Sequence, residues 1–128
     1  DFDATTEECI TCVADIPPEW GTTVTIDIVW STPGGSTNSV VWRVDYSLLS
    51  ASQLVQSGTV PTTATAGTPL TIASTSAANT IRYHRPYTAT SLGTGRPVVF
   101  QVRRVAADAA DTYASDAYFV GLIIRRAE

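Results

Sequence analysis

Two stretches of strict alternation constrain this chain more than anything else in it. Val24, Ile26, Ile28 and Trp30 interleave with Thr23, Thr25 and Asp27; Val40, Trp42, Val44 and Tyr46 then take one phase while Arg43 and Asp45 take the other. A period of two is the period of a β-strand, with one face turned to a core and the other to water. It also fixes register, because a slip of one residue would exchange the faces. Between the runs lies Ser31-Thr32-Pro33-Gly34-Gly35-Ser36-Thr37-Asn38, dense in turn formers. The two runs are expected to pair antiparallel across this long connection.

Weaker strand signals follow. Short strands are expected near 53–60 and 68–75, joined by a loop from Pro61 to Gly67, and another from Thr80 to Arg85, ended by Pro86. Gly93-Thr94-Gly95-Arg96-Pro97 reads as a turn. Val98 to Val105 is a strand, and Ala106 to Asp116 a loop, with one helical turn open to Val105–Ala110. Ala117 to Arg126 closes the chain as a strand whose Tyr118, Phe119, Val120, Leu122, Ile123 and Ile124 are apolar on both faces, as in a strand that is central or covered. The total is about eight strands at sandwich-like spacing. The expected fold is all-β: a two-sheet antiparallel β-sandwich of jelly-roll type, one domain over residues 1–128, with Trp30, Trp42, Phe100 and Phe119 as core anchors.

Composition agrees and removes some function classes. Charged residues make up 16% of the 128, hydrophobic ones 44%, and Lys and Met are absent. Abundant Thr and Val suit a pleated, half-buried surface. A net charge of −4 argues against nucleic acid, which needs a basic face. No apolar run is long enough to span a membrane as a helix. The opening Asp1-Phe2-Asp3-Ala4-Thr5-Thr6 reads as the middle of something, so an upstream attachment segment is expected.

Little in the sequence suggests chemistry. Cys9 and Cys12 have the spacing of a redox pair, but Glu8–Val13 reads as a strand, where a separation of three residues points them to opposite faces. A zinc site needs more than these two and the distant His84. That single His also rules out most triads by count. Asp108, Asp111 and Asp116 lie in one loop that lacks the dense alternating acids and the Gly of a Ca²⁺ loop, so turn and capping bonds are the plainer reading. No cofactor, no metal and no enzymatic activity are expected.

Binding surfaces are more promising. Arg82-Tyr83-His84-Arg85-Pro86-Tyr87 mixes basic and aromatic residues, the types favoured at hot spots. It reads either as a partner- or sugar-binding patch or as an ordinary strand with Tyr packed and Arg solvated. Charge is also segregated along the chain. Asp1, Asp3, Glu7, Glu8, Asp15, Glu19, Asp27 and Asp45 precede every basic residue except Arg43, and the other arginines start at Arg82. The plain consequence is pairing within the chain. The sharper one is that arginines reach the acidic segment of a neighbouring subunit, through bidentate forks. The interface residues expected on this basis are Arg82, Tyr83, Arg85, Tyr87, Arg103, Tyr118, Leu122 and Arg125.

Several segments together resemble a known family. They are Phe2-Asp3-Ala4-Thr5-Thr6-Glu7-Glu8, Pro17-Pro18-Glu19-Trp20, Val24–Trp30 and Ser39-Val40-Val41-Trp42, then Val99–Arg104, Ala110-Asp111-Thr112 and Asp116–Leu122. The pattern resembles small structural proteins of tailed bacteriophages, at both ends of the chain but little of 50–96. The resemblance implies a β-domain on the virion exterior: a capsid decoration (cement) or head-fibre domain that forms a homo-oligomer, expected as a trimer, against the major capsid protein or another virion protein. The alternative is a tail-fibre or carbohydrate-binding module that recognises a host glycan. The family carries no catalytic residue, and Cys9 and Cys12 stand where it would have ordinary apolar or aromatic residues.

Overall fold

The computed structural model describes residues 1–34, 38–49, 70–73, 81–89, 92 and 97–128. Both alternating runs are strands. In chain order the elements are β1 (Glu8–Asp15), a 3-10 turn (Pro18–Trp20), β2 (Val24–Ser31), β3 (Ser39–Leu48), β4 (Leu70–Ala73), β5 (Arg82–Ala89), β6 (Pro97–Arg104) and β7 (Tyr118–Arg126). They form two antiparallel sheets, ordered β1-β6-β3-β4 and β5-β2-β7. The strand expected at 53–60, the 61–67 loop and the glycine turn before Pro97 lie outside the described residues.

The core lies between the sheets, where the even-numbered positions of the alternating strands meet. Val24, Ile26, Ile28 and Trp30 come from β2, Val40, Trp42 and Val44 from β3, and Val98, Phe100 and Val102 from β6, all essentially without solvent contact. Trp30 and Trp42 meet edge to face at 5.9 Å, and Phe2 stands edge-on to Trp42 at 5.2 Å. Phe119 packs against this cluster but stays partly exposed. The two sheets are therefore a sandwich whose inner faces interdigitate.

Four expectations need correction, each for a physical reason. First, β2 and β3 do not pair with each other. Each is flanked on both sides, β2 by β5 and β7 and β3 by β6 and β4, and the two face one another across the core. Stacked sheets lie ~10 Å apart, a separation that a tight hairpin turn does not span.

Second, Pro86 does not end its strand. β5 continues to Ala89, and the register jumps from Ile26–Tyr87 to Ile28–His84, so that Arg85 and Pro86 together oppose Asp27. A bulge in an edge strand is a place where a residue without an N–H is tolerated.

Third, β7 is an edge strand, neither central nor covered by a described strand. Its register shifts between Val29–Gly121 and Trp30–Phe119, which leaves Val120 as the extra residue. That bulge resolves the two-sided apolar pattern. Phe119 before it and Leu122 and Ile124 after it all pack on the core, while Tyr118, Val120 and Ile123 remain exposed.

Fourth, Asp27 and Asp45, expected on wet faces, are buried. Each is in an ion pair: Asp27 with Arg125 at 3.1 Å, and Asp45 with Arg43 at 2.7 Å and Arg103 at 3.0 Å. Pairing is what makes a buried carboxylate tolerable.

Candidate functional site

One end of the sandwich is organised around a buried arginine. Position 104 continues the inward row Val98, Phe100, Val102, and Arg104 has no solvent exposure. Its Nε donates to Asp111 Oδ2 at 3.0 Å and its Nη2 to Asp111 Oδ1 at 2.7 Å. Nη1 donates to the Ser115 carbonyl at 2.8 Å and the Phe2 carbonyl at 3.3 Å, and Nη2 also to the Tyr113 carbonyl. The Tyr113 ring lies 5.9 Å below the guanidinium carbon.

The loop after β6 is tied down at further points. Asp111 Oδ2 accepts from Val41 N, Thr112 Oγ1 accepts from Ser39 N, and the Tyr113 hydroxyl donates to the Gly34 carbonyl. Phe2 and Ala117 exchange backbone hydrogen bonds of 2.7 and 3.0 Å, which lays the chain start beside the β6–β7 loop. Just beyond, Asp3 Oδ1 accepts from Thr5 N, Thr5 Oγ1 and Thr6 N. The bond from the Thr5 hydroxyl, then those from the two backbone N–H groups, hold the Asp3 carboxyl below its ordinary range.

The outer face of the larger sheet carries a second polar group. Neighbouring strands bring Arg43 beside Arg103 and Asp45 beside Gln101. Asp45 lies between both guanidiniums, and Arg103 also pairs with Glu7 at 2.8 Å and donates to Gln101 Oε1. Two cations and two anions balance, an arrangement that locks strands together rather than displaying a charge.

Cys9 and Cys12 are free and on opposite faces of β1, as strand geometry requires. Cys9 is exposed and its Sγ accepts from Gln101 Nε2 at 3.3 Å, whereas Cys12 packs towards the core and burial pushes its thiol pKa up. Among the described residues, no group of three or more His, Cys, Asp or Glu side chains is placed to hold a metal ion. No helix there is long and apolar enough to cross a membrane.

The expected interface residues do not form one cluster. Arg82, Tyr83, Arg85 and Tyr87 lie on the edge strand β5, and their side chains are outside the described residues. Arg103 and Arg125 are engaged inside the chain, with Glu7, Asp45 and Asp27. Leu122 is half-buried against the core. Tyr118 is exposed, 38% of its surface being accessible. The exposed apolar side chains lie mainly on two strands: Ile10 and Val13 on β1, and Tyr118, Val120 and Ile123 on β7. Sequence reading missed the Arg104–Asp111 pair, although a charged residue in phase with Phe100 and Val102 was its signal.

The chain matches no protein-family model, no curated protein and no solved structure.

Proposed function

We propose that this chain is a structural, non-catalytic domain of a tailed-phage particle, a capsid decoration (cement) or head-fibre domain that assembles with copies of itself and with the major capsid protein on the virion exterior. The observation that carries the reading is the contrast between a closely packed sandwich and two long strands, at the sheet edges among the described residues, that leave large apolar side chains exposed. Exposed apolar groups collected along an open edge suit association. The segments that resemble phage structural proteins support it in a second way. Phe2, Asp111, Thr112 and Ala117 come from the two ends of the chain and meet at one end of the sandwich, where their contacts are structural. Jelly-roll wrapping with about eight strands belongs to the same proposal. Successive described strands switch sheets at every step except β3 to β4, which suits a wrapped pair of sheets.

The test is location. Gold-labelled antibody against the chain, applied to intact particles that carry it, is expected to decorate the capsid shell. Label confined to the tail tip, together with binding to host glycans, would replace this reading with that of a receptor-binding module.

A further inference from the structure

Among the described residues the two sheets have four edge strands, and they are not alike. β4 spans 4 residues, and β5 carries Pro86 at a bulge. Shortness, proline and bulges are the devices that stop an edge from recruiting another strand. β1 and β7 have 8 and 9 residues, and neither contains Pro or Lys. The one bulge in β7 is at Val120, leaving Gly121 to Arg126 in regular register with β2.

These two edges, which no described strand covers, differ in charge. β1 begins with Glu8, preceded by Glu7, and ends at Asp15; β7 ends in Arg125 and Arg126. β1 against β1 in antiparallel fashion would bring Glu8 towards Asp15, a like-charge pairing that destabilises a ladder. β1 against β7 does the reverse. When Glu8 is set opposite Arg125, Glu7 falls opposite Arg126, Ile10 opposite Ile123 and Val13 opposite Val120. The last four are all among the large hydrophobics left exposed, at 44%, 37%, 56% and 56% respectively. One antiparallel register thus matches the uncovered apolar side chains, and it brings Arg126 and the half-exposed Arg125, whose Nε already pairs with Asp27, towards Glu7 and Glu8, which within their own chain meet Arg103 and the Asp3 N–H.

We infer that the occupant of the β7 edge is β1 of a second copy of this chain, paired antiparallel with Glu8 opposite Arg125. Made once per copy the contact is head-to-tail and builds a ring or a fibre, and made reciprocally it closes a two-fold dimer. Backbone ladder bonds and the four apolar side chains supply affinity, and the acidic and basic ends set register and partner choice. This inference rests on the assembly reading above and specifies the surface it uses.

In that register Gly121 falls opposite Cys12 of the neighbour. A Cβ placed on Gly121 meets nothing within 4 Å, so Gly121→Cys fits without repacking. Facing residues of an antiparallel pair have Cα atoms roughly 4.5–5.5 Å apart, within disulfide range. The full chain carrying Gly121→Cys and Cys9→Ser is oxidised with a catalytic oxidant and examined on non-reducing gels, with light scattering of the reduced protein alongside. The expected result is an intermolecular bridge from Cys12 to the introduced thiol, lost when Cys12→Ser is added. Val13→Asp, at an exposed position, is expected to weaken association at least tenfold with an unchanged circular dichroism spectrum. A bridge that survives Cys12→Ser would mean β7 against β7 and would overturn the inference. An oligomer that gives no bridge would also overturn it and leave the assembly reading standing. A chain that is monomeric at all concentrations would overturn both.

Discussion

The guanidinium of Arg104 holds both carboxylate oxygens of Asp111, at 3.0 and 2.7 Å, with neither side chain appreciably exposed. Through this pair β6 is fixed to the loop that follows it, and through the Asp111 bond from Val41 N the same loop is fixed to β3. Asp111→Ala removes one partner and leaves a buried charge. Its cost is expected to be about 3–5 kcal/mol, whereas replacing Arg104 and Asp111 together by apolar residues of similar volume should cost far less. Denaturant titration of the single and double variants measures this. A single variant as stable as wild type would show that the pair is not structural.

Trp42 is at the centre of the core, in ring contact with Trp30, Phe2 and Phe119. Trp42→Ala empties a site bounded by both sheets and by the chain start. The expected loss is about 3–5 kcal/mol, the usual scale for truncating a large buried aromatic. A loss below about 1 kcal/mol in denaturant titration would show that the two sheets do not share this core.

What was legible in the sequence was whatever a period of two controls. The phases of Val24–Trp30, Val40–Tyr46 and Val98–Val102 placed the core, and Cys9 and Cys12 fell on opposite faces as their spacing implied. Pairing partners were not legible, because alternation says which face is buried and nothing about which strand lies alongside. That is why β2 and β3 were expected as neighbours when they face one another. Local breaks in periodicity were equally hidden: the bulges opposite Asp27 and at Val120 involve one extra residue each and depend on the neighbouring strand. The charges of Asp27 and Asp45 suggested water, but arginines distant in sequence or across a strand neutralise them in place. In the terminal strand, expected to be apolar on both faces and covered, the sequence did not show that Tyr118 stays exposed. It could not separate Leu122, turned to the core, from Val120 and Ile123, turned away.

The two thiols should react unequally. Cys9 is exposed, while Cys12 is half-buried with its pKa pushed up by that burial, so at a given pH it holds less thiolate, the reactive form. Alkylation of the native protein followed by mass spectrometry is expected to label Cys9 first, with the gap closing in denaturant. A native bridge between Cys9 and Cys12, or faster labelling of Cys12, would mean that β1 is not a strand of this register.

Asp3 gives the chain start a dependence on pH. Its carboxylate accepts from Thr5 and Thr6 and shapes the turn between the Phe2–Ala117 ladder and β1. Those hydrogen bonds favour the charged form, so the folded pKa lies below the unfolded one. A depressed carboxyl contributes stability that is present above the unfolded pKa and is lost as pH falls through the folded one. The side chain is only partly buried and its hydrogen bonds face water, so water screens the effect and it should be small. Asp3→Ala removes the acceptor, and thermal midpoints of wild type and variant are compared from neutral pH down through the acid range. Wild type is expected to melt higher at neutral pH, and the difference should shrink steadily below the ordinary carboxylate range. A difference that stays constant with pH would show that the Asp3 charge does not hold this turn.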